Sequence, residues 1–541
     1  MTGPRLYIKR RSIMRKIKKL ATMLLMVTLI GSMFSGCKKS DNSTNANEAE
    51  KEFNYTGSAP ITDTENATVS ILATNSWYTT VDLKEATIVK EVQKRAGVNV
   101  DWTLISPTNY VDTVSPMLAA GKDLADIVLL PDLDPNMTYI NSGLFVKLDE
   151  YMEYMPNFEK FLNENPIIKS SLTAQDGHIY YVPLTVVTDN YQPCMMYNLP
   201  WIEKLGIEQP TTLDDFVEML RLFRDNDMNG NGDPNDEIPM SVTSEYLPYM
   251  FGPAFGLDLV SGFYADEDGT VHYAYAESEN YKAYLEFLNS LYEEGLLEVE
   301  FTSLTRDQIT ERCAQDLTGV TFDFSWQMSN LYSAQYPEYD GTTPIFCGVA
   351  PLSGEYEGYY VGRNAISNIF GVTADSDNII LAVKFLDYSM GEECQDLYVW
   401  GIEGETYTVA ADGTREYTEQ AKDNMWFQAY GVNPVCYPSQ QSVEGTDVLL
   451  PEWHVKVDKE LMQYVKAPWP FIYATPEEAE VISQYLVDIT TYAAEKNVEF
   501  ITGTESLDNF DNYLSTLDSM NLGEILKIRQ AQYDRFLEAS K

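Results

Sequence analysis

The sequence has few of the residues from which metal sites and nucleophilic enzyme sites are usually built. Its 541 residues include three histidines, which are scattered, and six cysteines, none of them in a CxxC pair. This spacing gives no sign of a zinc site or of a disulfide framework. The sequence also has no nucleophile elbow, no HExxH and no P-loop. It therefore offers no evidence for the enzyme classes that those motifs serve.

Basic residues are scarce as well. There are 37 of them against 82 acidic residues, which gives a net charge of −45. A folded domain with this charge is a poor partner for nucleic acid and for anionic lipid surfaces, whereas bound cations are favoured. The composition is otherwise globular, with 44% hydrophobic residues. The length favours more than one compact unit.

The apolar run near the N-terminus is short for a membrane span. Residues 20–34 would form about 22 Å of helix at 1.5 Å per residue, whereas the bilayer core is about 30 Å thick. Eight basic residues precede this run, and small residues follow it. This is the pattern of a secretory signal peptide, which we predict over residues 1–36. A transmembrane anchor is the alternative, and the start codon is that of Met1 or Met14.

The predicted signal peptide ends in Phe34-Ser35-Gly36-Cys37. This stretch resembles the bacterial lipobox, whose cysteine becomes the lipidated first residue of the mature protein. We predict that Cys37 is lipidated and anchors the protein to the extracytoplasmic face of the cell membrane. Residues 38–66 are polar and lack periodicity, so we predict a flexible tether over 37–66. Five cysteines remain besides Cys37, so at least one of them has no disulfide partner within the chain. The sequence leaves open which of the others are paired.

Strands and helices alternate in the first part of the folded chain. The predicted strands are TVSILA (68–73), VNVDWTL (98–104), DIVLLP (126–131) and DGHIYYVPL (176–184). Helices are predicted between them, one ending near Gly97 and one over about 110–120. This order indicates a parallel sheet with helices on both faces. After residue 190 helices dominate, and Thr212 and Thr475 are predicted helix N-caps.

The stretch DNDMNGNGDPNDEIP, residues 225–239, is dense in oxygen-bearing side chains. Asp227, Asn229 and Asn231 fall at alternate positions before a glycine, as in the first half of the calcium-loop pattern D-x-N-x-N-G. We predict a structural calcium site built from Asp227, Asn229, Asn231, the carbonyl of Asp233, and the carboxylates of Asp236 and Glu237. A standard EF-hand closes with Glu at position twelve, where this chain has isoleucine. Two alternatives therefore stay open, a register from Asp225 to Asp236 and a metal-free turn.

Several segments, in a fixed order, resemble one protein family. They are AAGKDLADIVLL (119–130), DGHIYYVPL (176–184), PWIEKLGIEQPTTLDDFVEML (200–220), the loop 225–239, LYEEGLLEVEF (291–301) and WGIEGETYTV (400–409). Together they are similar to the bacterial extracellular solute-binding lipoproteins that deliver carbohydrates to ABC importers. The most similar subgroup resembles the binders of large oligosaccharides, such as alginate fragments. A commonly basic stretch is replaced here by Tyr197-Asn198-Leu199, which argues against a preference for anionic sugars.

The resemblance implies an α/β fold of two lobes joined by a hinge, the type II periplasmic-binding-protein-like fold, which closes over its ligand. It implies chain crossings between the lobes near 187–192, 363–366 and 396–400. Lobe one would then comprise 67–188 and 365–397, and lobe two would comprise 189–364 and 398–541. The implied function is capture of an oligosaccharide by a monomeric lipoprotein that hands it to the permease of an ABC transporter. This function needs no catalysis and no redox or organic cofactor.

A sugar site needs aromatic faces for the rings and polar groups for the hydroxyls. Trp326, in TFDFSWQMS, matches the position of an aromatic residue in related maltodextrin binders. It is our predicted platform, and a core position is the alternative. Trp77 and Asp132 follow predicted strands, at the carboxyl ends where open α/β sheets bind ligands. Arg363 lies near a predicted crossing. A glycoside hydrolase and a surface adhesin stay as rival interpretations, because acidic residues alone are no evidence for hydrolysis.

Overall fold

A computed structural model describes most of the folded chain. The described residues are 50–75, 81–131, 137–185, 192–331, 343–364, 366–431, 447–448 and 450–539. The predicted lipidation site Cys37 and the predicted sugar-contacting residues Trp77 and Asp132 lie outside these ranges. Within them, each helix is too short or too polar to cross a membrane.

The described chain consists of strands and helices joined by turns, several of them 3₁₀ turns. Up to residue 324 the elements are β1 (Thr68–Thr74), α1 (Thr87–Ala96), β2 (Asn99–Ile105), α2 (Tyr110–Ala120), β3 (Ile127–Leu129), α3 (Thr138–Asn141), α4 (Pro156–Glu164), α5 (Pro166–Leu172), β4 (Tyr181–Thr185), β5 (Pro193–Asn198), α6 (Leu199–Leu205), α7 (Leu213–Asp225), β6 (Ile238–Met240), α8 (Leu247–Phe251), β7 (Phe263–Ala265), β8 (Val271–Tyr273), α9 (Asn280–Glu293), α10 (Arg306–Ala314) and β9 (Thr318–Phe324). Beyond it they are β10 (Phe346–Gly348), β11 (Tyr360–Val361), β12 (Ile366–Val372), α11 (Ile379–Met390), α12 (Glu392–Val399), β13 (Tyr407–Val409), β14 (Arg415–Tyr417), α13 (Asn424–Tyr430), α14 (Glu452–Leu461), β15 (Val465–Lys466), α15 (Pro476–Ile501), α16 (Phe510–Ser519) and α17 (Leu522–Ala539).

Lobe one is built on a five-stranded sheet with the order β2-β1-β3-β12-β4. Strand β1 runs parallel to β2 and β3, whereas β12 is antiparallel to β3 and β4. The inner strand β1 is buried over most of its length, and the edge strand β2 alternates between exposed and half-buried positions. Helix α1 ends where Gly97 adopts a left-handed conformation, with φ of 74°. The predicted α/β architecture is confirmed. Strand β12 follows the lobe-two segment in the sequence and returns the chain to the sheet of lobe one, between β3 and β4.

Lobe two is built on a four-stranded sheet with the order β10-β5-β9-β6. Strand β6 is parallel to β9, and β5 is antiparallel to both β9 and β10. Helix α7 buries Phe216, Leu220 and Phe223 completely in the core of this lobe. Both predicted N-caps are confirmed, because the hydroxyls of Thr212 and Thr475 accept hydrogen bonds from backbone N–H groups in the first turns of α7 and α15.

The buried apolar residues form two separate clusters, and these correct the predicted lobe boundaries. The chain leaves the first cluster after Val182 and rejoins it at Ile366, close to the first two predicted crossings. No crossing occurs at 396–400, because the segment 398–430 stays in the first cluster. The rings of Trp400 and Tyr417 stack there with centroids 4.7 Å apart. The prediction that 398–430 belongs to lobe two is therefore wrong.

The segment before β1 is also different from its prediction. Residues 50–66, which we name the clasp, were predicted to be part of a flexible tether, but they pack against lobe one. Ile61 is completely buried, and the Tyr55 hydroxyl donates a hydrogen bond of 2.8 Å to Asp387 Oδ2 on α11. The carboxylate of Glu50 lies 3.1 Å from Nζ of the fully buried Lys384. A polar composition concealed this packing, because the polar groups find partners inside lobe one.

Candidate functional site

Trp326 lies directly after β9, where the strand ends at the edge of the lobe-two sheet. It occupies a 3₁₀ turn over Ser325–Gln327 and is half-buried. Strands β6 and β9 are parallel and end at the same edge, which is where α/β sheets commonly bind ligands. Trp326 is thus only partly buried, at a position suited to ligand binding. The side chain is neither fully buried nor fully exposed, so the platform and the core position are separated by the binding and stability measurements described in the Discussion.

An ion pair supports one side of this tryptophan. Nε of Arg306, at the start of α10, lies 2.7 Å from Oδ2 of Asp323, which is the penultimate residue of β9. The guanidinium carbon of Arg306 lies 5.5 Å from the ring centroid of Trp326, a cation–π arrangement. Nη2 of Arg306 also donates a hydrogen bond of 2.6 Å to the hydroxyl of Tyr246. These contacts fix the guanidinium in place while 46% of the Arg306 side chain stays exposed.

Burial shapes the proton affinities of these groups. It raises the pKa of Asp323, and the nearby Arg306 opposes the rise. It also raises the pKa of Tyr246 to about 12, so the hydroxyl keeps its proton at neutral pH. Because that hydroxyl already accepts from Arg306, its own hydrogen is available to another acceptor. The group is therefore suited to bonding a hydroxyl-rich ligand.

A cavity of about 240 Å³ opens beside the ion pair. It is lined by Thr243, Glu245, Tyr246, Arg306, Ile309, Thr310, Thr321, Phe322, Asp323, Gln327 and Leu331. The buried Oγ1 of Thr321 has no hydrogen-bond partner within the described structure, a costly condition that a ligand hydroxyl would relieve. The cavity is smaller than the roughly 300–1,000 Å³ of pockets that enclose a drug-sized ligand. It can therefore take one part of a larger molecule.

Arg363 lies in the stretch that connects β11 to β12 and so crosses between the lobes. Its side chain is exposed, and its guanidinium carbon lies 5.5 Å from the ring centroid of Phe324. Phe324 in turn contacts the half-buried ring of Tyr249, with centroids 6.4 Å apart. Since Phe324 is two residues from Trp326, the structure places both predicted residues along the same edge of lobe two.

The loop 225–239 folds around its own backbone. Oδ1 of Asp227 accepts a hydrogen bond of 2.6 Å from the N–H of Gly230, and Oδ2 accepts one of 3.0 Å from Gly232. The amide groups of Asn229 and Asn231 donate to the carboxylate of Asp236, at 3.3 and 2.6 Å. Three of the predicted ligands, Asn229, Asn231 and Asp236, are therefore in direct contact, and Asp227 caps the backbone of the same loop. The side chain of Asp233 instead accepts from Asn235, consistent with a predicted role limited to the Asp233 carbonyl.

Glu237 closes the loop from inside the lobe. Its Oε1 accepts a hydrogen bond of 2.6 Å from the N–H of Met228, whereas its Oε2 is buried without a hydrogen-bond partner in the described chain. Burial raises the pKa of this carboxyl. Across the described residues no three His, Cys, Asp or Glu side chains converge as a metal site. A set made of carboxylate, amide and carbonyl oxygens nevertheless fits calcium, and the orphaned oxygen of Glu237 is one that a cation would satisfy.

Sequence reasoning missed most of the partners of Trp326. Arg306, Asp323 and Tyr246 were not predicted, although one signal was present. Asp323 is an acidic residue inside the otherwise buried strand TGVTFDF, and such a residue needs a charged or hydrogen-bonding partner. Which basic residue supplies that partner depends on how α10 packs, and the pattern of the strand does not contain this information.

Comparisons with a family profile and with individual proteins point to the same family. The sequence profile described as bacterial extracellular solute-binding protein matches residues 80–396. The fructooligosaccharide ABC transporter substrate-binding protein FusA of Streptococcus pneumoniae is 26% identical over 506 residues, covering 87% of this chain and 91% of FusA. Lipoprotein LipO of Bacillus subtilis is 21% identical over 510 residues, covering 92% of this chain and 95% of LipO.

Solved structures show the same fold. FusA in complex with kestose has a TM-score of 0.72 and 23% identity, with 88% of this chain and 100% of that chain covered. The alginate-binding protein AlgQ2, solved without calcium ion, has a TM-score of 0.71 and 21% identity, with 87% and 99% covered. An EF-hand mutant of FusA in complex with fructo-nystose has a TM-score of 0.72 and 22% identity, with 88% and 100% covered. The two-lobe α/β fold is thus shared over nearly the whole described chain.

Proposed function

This chain belongs to the bacterial extracellular solute-binding protein family, and from that premise we propose that it captures an oligosaccharide between its lobes and delivers it to the permease of an ABC importer. It is a transport component, not an enzyme. The name of FusA gives a fructooligosaccharide as its substrate, and the name of AlgQ2 gives alginate, so both relatives bind carbohydrates. We extend that ligand class to this protein.

One observation carries the proposal. The half-buried Trp326 lies beside the fixed Arg306–Asp323 pair, at the carboxyl ends of β6 and β9. A sugar ring needs an apolar face to stack on and charged or hydroxyl groups to bond its rim, and this edge offers both. Arg363, on a crossing between the lobes, would contact the ligand from the hinge side.

The function is tested with a panel of labelled oligosaccharides on the chain lacking residues 1–37. The panel contains kestose, nystose, neutral glucans and xylans, and alginate and pectin fragments. We expect at least one member to bind and to be recovered intact after release. Recovery of shortened products would favour a glycoside hydrolase, and binding without any importer-dependent uptake in cells would favour an adhesin.

We further propose that Cys37 carries a lipid that holds the protein at the cell membrane. The lipobox-like stretch before Cys37 and the relative named Lipoprotein LipO support this. Replacing Cys37 with Ser removes the thiol that would be acylated, so we expect labelled palmitate to be lost from the protein and the protein to appear in the culture medium. Cys436→Ser is the control, and it should keep the label. A Cys37→Ser protein that still carries palmitate would exclude this site.

We also propose that the loop 225–239 holds a structural calcium ion. Asp227, Asn229, Asn231, the carbonyl of Asp233, Asp236 and Glu237 would supply its ligands. The FusA structure described as an EF-hand mutant and the AlgQ2 structure without calcium support such a site in related proteins. The ion would keep this loop of lobe two in one conformation, with no part in any chemistry.

Removing calcium should destabilise the protein measurably. A bound ion stabilises the folded state by about 2.7 kcal/mol at 100 times its Kd, so we expect chelation to lower the melting temperature and calcium to restore it. Asp227→Ala should abolish the difference between the two conditions. Asp233→Ala is the matched control, because it keeps the backbone carbonyl and should keep the calcium response. A wild-type melting curve that stays the same after unfolding and refolding in chelator would contradict the proposal.

A further inference from the structure

Helix α14 packs behind the turn that carries Trp326. His454, on this helix, is completely buried, and its Nδ1 lies 3.1 Å from the hydroxyl of Ser329. Ser329 follows Trp326 by three residues, and the amide of Asn330 donates a hydrogen bond of 3.0 Å to the carbonyl of Trp326. The turn is therefore closed on itself, and the hydrogen bond between Ser329 and His454 joins it to α14.

The packing under the turn leaves little room for adjustment. A Cβ atom added to Gly348 of β10 would lie 3.0 Å from Sδ of Met328, from Cδ1 of Leu461 and from Sγ of Cys194. The N–H of Gly348 lies 3.0 Å from Sδ of Met328. A glycine at this position lets α14 and the turn approach the sheet closely. A displacement of α14 would therefore be transmitted to the turn.

Asp458 stands one helical turn after His454 and has an unusual environment. It is 1% exposed, and within the described structure neither carboxylate oxygen has a hydrogen-bond partner. Nε2 of His454, which also has no hydrogen-bond partner in the described structure, lies 3.5 Å from Oδ2 of Asp458. Burying a carboxylate with so little compensation is costly, and unsatisfied buried groups are rare in folded proteins. A role in orienting His454 accounts for its position.

We propose that His454 is a positioning residue for the Trp326 platform. Asp458 faces Nε2 and holds the ring so that Nδ1 points to Ser329. The Ser329 hydroxyl then donates to Nδ1, and this bond fixes the turn in which Trp326 presents its ring to the ligand. None of the three residues touches the ligand, so their effect on affinity is transmitted through the turn. The proposal rests on the proposed function.

The test compares affinities for the tightest-binding member of the oligosaccharide panel by calorimetric titration. Losing one buried hydrogen bond of typical strength should weaken binding about fivefold in both Ser329→Ala and His454→Leu. The double variant should be no weaker than either single variant, because both remove the same bond. His454→Asn can reach Ser329 with its amide and should recover most of the affinity. The control is His272→Asn, a lobe-two histidine paired with Asp266 and Glu277, which should bind as wild type.

If His454 only stabilises the fold and does not position Trp326, these variants should give different affinities. Unchanged affinity in Ser329→Ala would overturn the proposal, even if His454→Leu fails to fold. The proposal also requires that Ser329→Ala have no further effect on affinity when it is combined with Trp326→Ala. A persistent effect in that background would overturn it. If the wild-type protein binds no panel member, the proposed function fails and the positioning role falls with it. Binding that depends on Trp326 and is insensitive to Ser329 overturns the positioning role alone.

Discussion

Replacing Lys384 with Met lowers the free energy of unfolding by about 3–5 kcal/mol, the cost of leaving a buried charge without its partner. Lys384 is completely buried and pairs with Glu50, which is 4% exposed. Without the ammonium, the Glu50 carboxylate keeps the neutral hydroxyl donors of Thr62 and Thr64. Detachment of the clasp would not avoid the cost, because it would expose the buried side chains of Tyr55 and Ile61 to water.

The measurement is urea unfolding of the chain that begins at residue 38. Lys160→Met is the matched control, because Lys160 pairs with Glu392 at 3.3 Å on the surface and such exposed pairs contribute about 0–1 kcal/mol. Combining Lys384→Met with Glu50→Gln should recover part of the loss, since the unpaired carboxylate is then removed. Equal unfolding midpoints for Lys384→Met and Lys160→Met would contradict the packing of the clasp against lobe one. Residues 50–66 would then belong to the flexible tether.

Replacing Trp326 with Ala weakens oligosaccharide binding by about 5- to 150-fold. The estimate takes about 1–3 kcal/mol for one sugar ring stacked on a tryptophan, and 1.4 kcal/mol corresponds to a factor of ten. The structure supports an effect on binding more than on folding, because Trp326 is half-buried and its neighbour Arg306 is held independently by Asp323 and Tyr246. The pair should therefore keep its geometry when the ring is removed.

Calorimetric titration and a melting curve on the same variant separate the two roles. Trp102→Ala is the matched control, a half-buried tryptophan on the edge strand β2 of lobe one. It should lower the melting temperature through lost packing and leave the affinity unchanged. A Trp326→Ala protein that folds normally and binds as wild type would exclude the platform. A large loss of stability without loss of affinity would assign Trp326 to the core.

The parts of the fold that could be predicted are those set by local pattern. Helix α2 spans Tyr110–Ala120, close to the predicted bounds of about 110–120, and Thr475 forms the predicted cap of α15. The alternation of strands and helices likewise indicated the sheet of lobe one. In each case residues close in the sequence determine the structure, so a short window contains the information.

The parts that could not be predicted depend on contacts between distant residues. Glu50 lies far along the chain from Lys384, and nothing near either residue shows that they meet. The segment 398–430 was assigned to the wrong lobe because the family resemblance implied a crossing at 396–400, and no local pattern shows that Trp400 and Tyr417 pack in the first cluster. The same limit applies to the site. Trp326 was predicted from a family resemblance and the loop 225–239 from a local motif, whereas the pairing of Arg306 with Asp323 follows from the packing of α10 on β9.

Ligand-driven closure is the central claim, since a site on one lobe alone would give a ligand no differential affinity for the closed state. Small-angle X-ray scattering of the chain beginning at residue 38, with and without the tightest-binding oligosaccharide of the panel, tests it most directly. We expect a smaller radius of gyration at saturating ligand, as the two lobes close about the predicted crossings near residues 187–192 and 363–366. An unchanged radius of gyration with a ligand that calorimetry shows to be bound would contradict capture between the lobes.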